Sequence, residues 1–87
     1  MKLMFVIVRS EDSENVMDML VEAEFGVTHV ASTGGFLRKG NATLLIATDE
    51  EKVDEAMEVI RNATTEPQDN QRRATIFVLN LESFEQL

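Results

Sequence analysis

The stretch Ser32-Thr33-Gly34-Gly35-Phe36-Leu37-Arg38-Lys39-Gly40-Asn41 separates two apolar segments, Val27 to Ala31 and Leu44 to Ala47. Three of the chain's four glycines lie in this stretch. Because glycine adopts positive φ without a steric penalty, such a concentration marks a tight, shaped turn. Two short apolar segments joined by a turn of this kind predict a pair of neighbouring antiparallel strands.

The same stretch carries chemistry that suits a ligand. Backbone N–H groups of a glycine-rich turn bind anions, Arg38 and Lys39 add positive charge, and Phe36 offers an aromatic face. Together they favour a phosphorylated, base-bearing ligand. The alternative is a hairpin connection that binds nothing, because a Gly-Gly pair is a weak motif. A Walker-type phosphate loop does not fit, since the stretch lacks the Gly-Lys-Ser/Thr ending and leads into a strand.

The rest of the chain supplies two more strands and two helices. The predicted strands are Lys2–Val8, Val27–Thr33, about Ala42–Thr48 and Ala74–Leu79. A first helix is predicted from a cap at Asp12 or Ser13 to about Phe25, with Gly26 ending it in the left-handed region. A second helix follows a capping box of Thr48 and Glu51.

The remaining segments are assigned by composition and spacing. Thr64 to Arg72 is predicted as a loop, and one helical turn is expected around Phe84 in the tail. In the second strand, alternation puts Val27, His29 and Ala31 on one face.

The order β-α-β-β-α-β predicts an α+β fold of the ferredoxin-like class. In this fold two helices cover one face of a four-stranded antiparallel sheet. The first and last strands are apolar at nearly every position, however, which is typical of strands buried on both faces. We therefore expect the second face to be covered by other copies of the chain. The 87 residues are predicted to form a single domain, 1–87.

Composition excludes several classes of function. The net charge is −8 and there is no cysteine, so neither nucleic-acid binding nor an anionic membrane surface is expected, and no thiolate metal site is possible. The single histidine, His29, cannot build a metal site with its sequence neighbours. The apolar run at the N-terminus is too short for a signal peptide or a membrane span, which predicts a cytoplasmic protein.

Several motifs along the chain match one known family. They are Met1-Lys2-Leu3, Asp12-Ser13, Phe25, Thr28, Thr33 to Asn41, Val53-Asp54, Ala74 to Val78 and Phe84-Glu85-Gln86. With these residues the chain resembles the PII-like cyclic-di-AMP receptor proteins over nearly its whole length. The resemblance implies a homotrimer of ferredoxin-like subunits that is not an enzyme, needs no cofactor and binds a cyclic dinucleotide, or another adenine nucleotide, at subunit clefts.

The resemblance also implies which residues bind the ligand. The implied ligand-binding residues are Thr28, Gly35, Phe36, Leu37, Arg38, Asn41, Ala47 and Gln86. An aromatic face and backbone amides suit a base and a phosphate, while amide side chains can bond a purine edge.

Three departures separate the chain from the family pattern. Where the family typically has Asn and Arg just before Thr28, this chain has Glu24 and Gly26. Ala47 replaces a glycine of the third strand, and the long loop of the family is reduced to Thr64–Arg72. Loss of an arginine removes a cationic, fork-shaped donor for phosphate.

Three functional hypotheses follow. The first is the nucleotide-binding signalling trimer, and the second is a related trimer that has lost cyclic-di-AMP and acts as a protein-interaction module with an unidentified partner. The third is an enzyme at a subunit cleft, for example with Arg38 and Glu24 as an acid–base pair. The absence of a cysteine or of a histidine–acid motif argues against the enzyme.

Overall fold

The computed structural model describes residues 1–33, 40–67 and 72–87, apart from the side chains of residues 32 and 33. In chain order the elements are β1 (Lys2–Arg9), α1 (Ser10–Glu22), β2 (Val27–Thr33), β3 (Asn41–Thr48), a 3₁₀ turn (Glu50–Lys52), α2 (Val53–Ala63) and β4 (Ala74–Asn80). The predicted βαββαβ order and α+β class are therefore confirmed.

The four strands form one antiparallel sheet in the order β2-β3-β1-β4. β1 lies in the centre, where Met4 is opposite Ile46 of β3 and Val78 of β4. β2 and β4 are the edge strands. β3 thus lies between β1 and β2, as expected for two split βαβ units.

One face of the sheet packs against both helices and forms the core. Alternate residues of β1 and β3 point to this inner face and are buried, as period-two side-chain alternation requires. The core residues are Met4, Val6, Val8, Val16, Leu20, Phe25, Ala42, Leu44, Ile46, Ala56, Ile60 and Ala63.

The outer face of the sheet carries large apolar side chains that no helix covers. Phe77 and Leu79 are 55% and 47% exposed, and they lie opposite Phe5 and Leu3 in the register. The outward residues of β1 belong to this apolar face and are only half buried in the single chain. This explains why the sequence of β1 is apolar at nearly every position. That other copies of the chain cover this face stays a prediction.

The end of α1 differs from the sequence prediction. The helix stops at Glu22, and Glu24 takes the left-handed conformation with φ of 72°. The N–H of Phe25 donates to Leu20 O and that of Glu24 to Val21 O, both at 2.9 Å, which is a Schellman motif. The prediction that Gly26 ends the helix is wrong, because tertiary placement of Phe25 in the core sets the cap two residues earlier.

The predicted side-chain caps are also wrong. Arg9 is the N-cap of α1 and makes no side-chain cap bond, while Asp12 lies inside the first turn. The second helical segment begins with the 3₁₀ turn at Glu50, whose N-cap Asp49 makes no cap bond. Thr48 is buried at the end of β3. β1 extends one residue further than expected, to Arg9, and Thr48 is the last residue of β3 and belongs to the sheet.

A bulge in β2 changes the predicted faces of that strand. The register shifts between His29 and Ala31, so that His29 lies opposite Leu44 and Ala31 opposite Thr43. Val30 is the extra residue, which moves Ala31 to the outer face. The prediction that Ala31 shares a face with His29 is therefore wrong.

Candidate ligand site

A cavity of about 360 Å³ lies on the outer face, at the edge formed by the start of β2 and the end of β3. Its lining residues are Leu3, Gly26, Val27, Thr28, Leu45, Ala47, Leu81, Phe84 and Gln86. Its volume falls within the range of about 300–1,000 Å³ that is usual for small-molecule sites.

Strand register brings the first wall of the cavity together. Leu3 of β1 lies opposite Ala47 of β3, and Leu45 of β3 lies opposite Thr28 of β2. Because residues opposite each other in an antiparallel pair share a face, all four side chains point outward at the same end of the sheet.

The C-terminal tail supplies the second wall. After β4 the N–H of Leu81 donates to Met1 O at 3.0 Å, which turns the tail back beside the start of β1. This brings Phe84 and Gln86 to the cavity. The segment has no helical turn, so the turn predicted around Phe84 is wrong.

Among the described lining residues two side chains are polar, the others are apolar and none is charged. Thr28 contributes a hydroxyl and Gln86 a carboxamide, which provides both donors and acceptors. Phe84 is 54% exposed and presents its ring to the opening. An aromatic ring beside an amide suits a planar heterocycle with polar edges better than an ion.

The structure brings together three of the eight predicted ligand residues. Thr28, Ala47 and Gln86 all line the cavity. Gly35, Phe36, Leu37 and Arg38 lie outside the described residues. Asn41 is exposed at the first position of β3, six residues before Ala47, which is about 20 Å along a strand.

Glu24 and Gly26 have different places in the structure. Gly26 lines the cavity, and a Cβ placed on it would meet no atom within 4 Å. Glu24 is not among the lining residues, and its position is the left-handed cap of α1. The departure at residue 26 therefore concerns the cavity, whereas the departure at residue 24 concerns the helix end.

Sequence reasoning missed five lining residues: Leu3, Val27, Leu45, Leu81 and Phe84. Leu3 and Leu45 were assigned only to strands, although the apolar outer face already indicated a surface that another molecule covers. Phe84 was assigned to a helical turn. Its proximity to Gln86 was a signal, but only the bond from Leu81 to Met1 shows where the tail goes.

A polar cluster lies at the other end of β1. The Arg9 guanidinium contacts Asp12 Oδ2 at 3.1 Å and donates to Thr65 Oγ1 at 2.9 Å. The backbone N–H and hydroxyl of Thr65 both donate to Asp12 Oδ1. Asp12 is 2% exposed, so the cluster anchors the segment that follows α2 to the first turn of α1.

The cluster adjoins both connections that the sequence singled out. Ser10, next to Arg9, donates from its N–H to Gly40 O at 2.8 Å. Arg73 donates to Thr64 O and pairs with Glu66 at the two ends of the predicted loop. Gly40, near the C-terminal end of the glycine-rich stretch, and the ends of the 64–72 segment are thus held near this cluster.

Two other features are absent from the part of the chain that the structure describes. None of its His, Asp and Glu side chains form a group of three or more that could hold a metal ion. None of the helices described is long and apolar enough to cross a membrane.

The architecture defines a class: a small ferredoxin-like α+β protein with an uncharged, heterocycle-sized cavity on the open face of its sheet. The family model described as cyclic-di-AMP receptor matches residues 1–72. The chain therefore belongs to the cyclic-di-AMP receptor family.

A solved structure is similar over the whole chain. It is described as the crystal structure of a functionally unknown protein from Pediococcus pentosaceus ATCC 25745. The two chains are 30% identical and superpose with a TM-score of 0.79, over 99% of this chain and 96% of the other. The similarity extends beyond the family match and includes β4 and the tail.

Proposed function

We propose that this chain is a cytosolic, non-enzymatic signalling protein that binds cyclic-di-AMP, or another adenine nucleotide, in clefts of a homotrimer. The observation that carries the proposal is the cavity in which Thr28, Ala47 and Gln86 meet. Membership of the cyclic-di-AMP receptor family supplies the ligand class. We further propose that residues 1–87 act as one domain, because β4 and the tail complete the sheet and the cavity.

In this proposal the cavity holds an adenine ring. The Gln86 carboxamide can donate to and accept from a purine edge at once, and the Thr28 hydroxyl adds one further bond. Phe84, Leu3 and Leu45 supply apolar contact to the faces of the ring. We place the phosphates outside this part of the lining, since none of its described side chains is charged.

The second part of the site would come from a neighbouring copy. Asn41 lies about 20 Å along β3 from Ala47, and an intact strand cannot bring the two closer. Both residues can contact one ligand only if they belong to different subunits. The exposed apolar side chains of the outer face, with Phe77 55% exposed, support association through that face.

The alternative is a trimer that has lost cyclic-di-AMP and binds a protein instead. The observation that favours it is Gly26, which places no side chain in the open space beside the cavity. A dianionic ligand then lacks a cationic partner at this position.

Single variants test the cavity. Thr28→Val and Gln86→Leu each remove a hydrogen-bonding group while keeping side-chain size, so each is expected to weaken cyclic-di-AMP binding about tenfold. Ser83→Ala is the matched control, because Ser83 is an exposed polar residue of the same tail that does not line the cavity. If Thr28→Val and Gln86→Leu bind cyclic-di-AMP as tightly as Ser83→Ala does, the cavity is not the ligand site.

A subunit-mixing experiment tests the shared site. One chain carries Thr28→Val with Gln86→Leu, the other carries Asn41→Ala, and the two are co-refolded in equal amounts. A site between neighbours leaves about one site in four with both halves intact, so titration should recover that fraction of binding. A site within one chain would recover none.

A further inference from the structure

The two helices enclose a second, shallower cleft that opens to solvent away from the sheet. It is lined by Met19, Glu22 and Ala23 of α1 and by Val59 and Asn62 of α2. The residues of α1 recur at positions i, i+3 and i+4, which places them on one helix face. The neighbouring faces of these helices hold core residues such as Leu20 and Ile60.

The size and lining of the cleft indicate an anchor site for a side chain. Its volume is about 210 Å³, below the range of about 300–1,000 Å³ of small-molecule pockets. Its floor is apolar. Met19 lines the cleft and is 38% exposed, so it can contact a partner. Methionine adapts its shape to different apolar partners, which makes it frequent at protein-binding surfaces.

The charge around the cleft is strongly one-sided. Residues 10–24 and 49–63 contain twelve acidic and two basic residues, a net charge of −10. The rest of the chain has a net charge of +2, since the whole chain has −8. Of the two basic residues, Arg61 is paired with Glu58 at 3.3 Å. The helix layer therefore favours a basic partner and repels a second copy of itself.

We propose that this helical cleft binds a basic amphipathic segment of a partner protein. One apolar side chain of that segment would occupy the space between Met19 and Val59. Its Lys or Arg residues would lie over Glu22 and the neighbouring carboxylates, in the manner of a helix in a groove. The proposal does not depend on the identity of the nucleotide.

The position of the cleft gives it a role in signalling. The nucleotide cavity and the exposed apolar face lie on the outer side of the sheet, and the cleft lies on the helix side. A partner on the helices therefore leaves the cavity free, and nucleotide and partner can be bound at the same time.

The test begins with selection of binders from a phage-displayed library of random 16-residue peptides on the immobilised full chain. We expect recovered peptides to carry several Lys or Arg residues together with apolar residues at helical spacing. A synthetic copy of a recovered peptide is then titrated by fluorescence anisotropy, and its affinity should fall as salt concentration rises.

Two pairs of variants locate the binding. Met19→Ala should weaken peptide binding about tenfold, because it removes apolar contact. Glu22→Gln should weaken it several-fold, because it removes a charge that pairs with the peptide. Val21→Ala and Glu14→Gln are the controls, since both residues are exposed on α1 but do not line the cleft. Recovery of no peptide, recovery of acidic or uncharged peptides, or binding that Met19→Ala and Glu22→Gln leave unchanged would overturn the proposal.

Discussion

Glu24 occupies a backbone position that suits few residues. With φ of 72° it closes the Schellman motif at the end of α1. A residue with a Cβ in this region costs about 1–2 kcal/mol, and glycine and asparagine tolerate it best. Glu24 is therefore a strained position at the end of α1.

The first prediction concerns this residue. Glu24→Asn should raise the free energy of unfolding by about 1 kcal/mol, because asparagine accepts the left-handed conformation. Chemical denaturation measures the change. Glu22→Asn serves as the control, since it removes the same charge from the end of α1 at a helical position. An equal gain in both variants would mean that charge, and not backbone strain, is responsible.

The second prediction concerns Gly26. Gly26→Arg should tighten cyclic-di-AMP binding about tenfold, because a charge-assisted bond contributes about 1.5–3 kcal/mol and the site has open space for a side chain. Isothermal titration checks the affinity. Gly26→Met is the control, since methionine has a similar reach without the charge. A gain with methionine as large as with arginine would contradict the electrostatic argument.

At the scale of elements, the strands were predictable to within one residue at each end, whereas the ends of the helices were not. Apolar runs such as Leu3–Val8 define strands by composition alone, and the glycine-rich stretch defines the connection between β2 and β3. The bulge at Val30 was not predictable, because it depends on the register with Thr43 and Leu44. The cap of α1 likewise depends on the packing of Phe25 in the core.

The candidate site was predictable where the resemblance to the family indicated individual residues. Thr28 and Gln86 were expected from the resemblance, and both line the cavity. Phe84 and Leu81 were not expected in it, since their placement follows from the bond between the tail and Met1. A contact between the two ends of a chain leaves no local pattern in the sequence.

The third prediction concerns the polar cluster that ties α1 to the segment after α2. Asp12→Asn should lower the free energy of unfolding by about 2 kcal/mol, because it leaves the largely buried Arg9 without its anionic partner. Within the described part of the chain, the Nε of Arg9 already has no hydrogen-bond partner. Thermal and chemical denaturation measure the loss.

Asp18→Asn is the control for this change, since Asp18 is an exposed aspartate of the same helix. The free energy of unfolding of this variant should stay within about 0.5 kcal/mol of that of the parent chain. If both variants lose the same stability, the cluster is not the cause.

At the scale of the whole molecule, the two surfaces of the protein differ in kind. The outer face of the sheet is apolar and carries the cavity, whereas the helix layer is acidic and carries the cleft. An 87-residue chain buries only about 60–65% of its unfolded surface, so association through the apolar face would add stability that a single copy lacks.

The fourth prediction concerns this association. Phe77→Glu should convert the proposed trimer to a single chain, because it places a charge among the exposed apolar side chains of the outer face. Light scattering after size-exclusion chromatography gives the mass, and circular dichroism shows whether the fold is kept. Val21→Glu, on the exposed side of α1, should leave the mass unchanged. Dissociation by both variants, or by neither, would contradict association through the sheet.

The central claim, a trimer that binds cyclic-di-AMP between its subunits, is tested most directly by one measurement. The unmodified protein is titrated calorimetrically with cyclic-di-AMP, and with ATP, AMP and cyclic-di-GMP as competitors, while light scattering gives the mass of the same sample. The account predicts a species of three chains that binds about one cyclic-di-AMP per chain and prefers it to the other nucleotides. A trimer that gives no binding heat and no displacement with cyclic-di-AMP, or a single chain that binds it fully, would contradict the account.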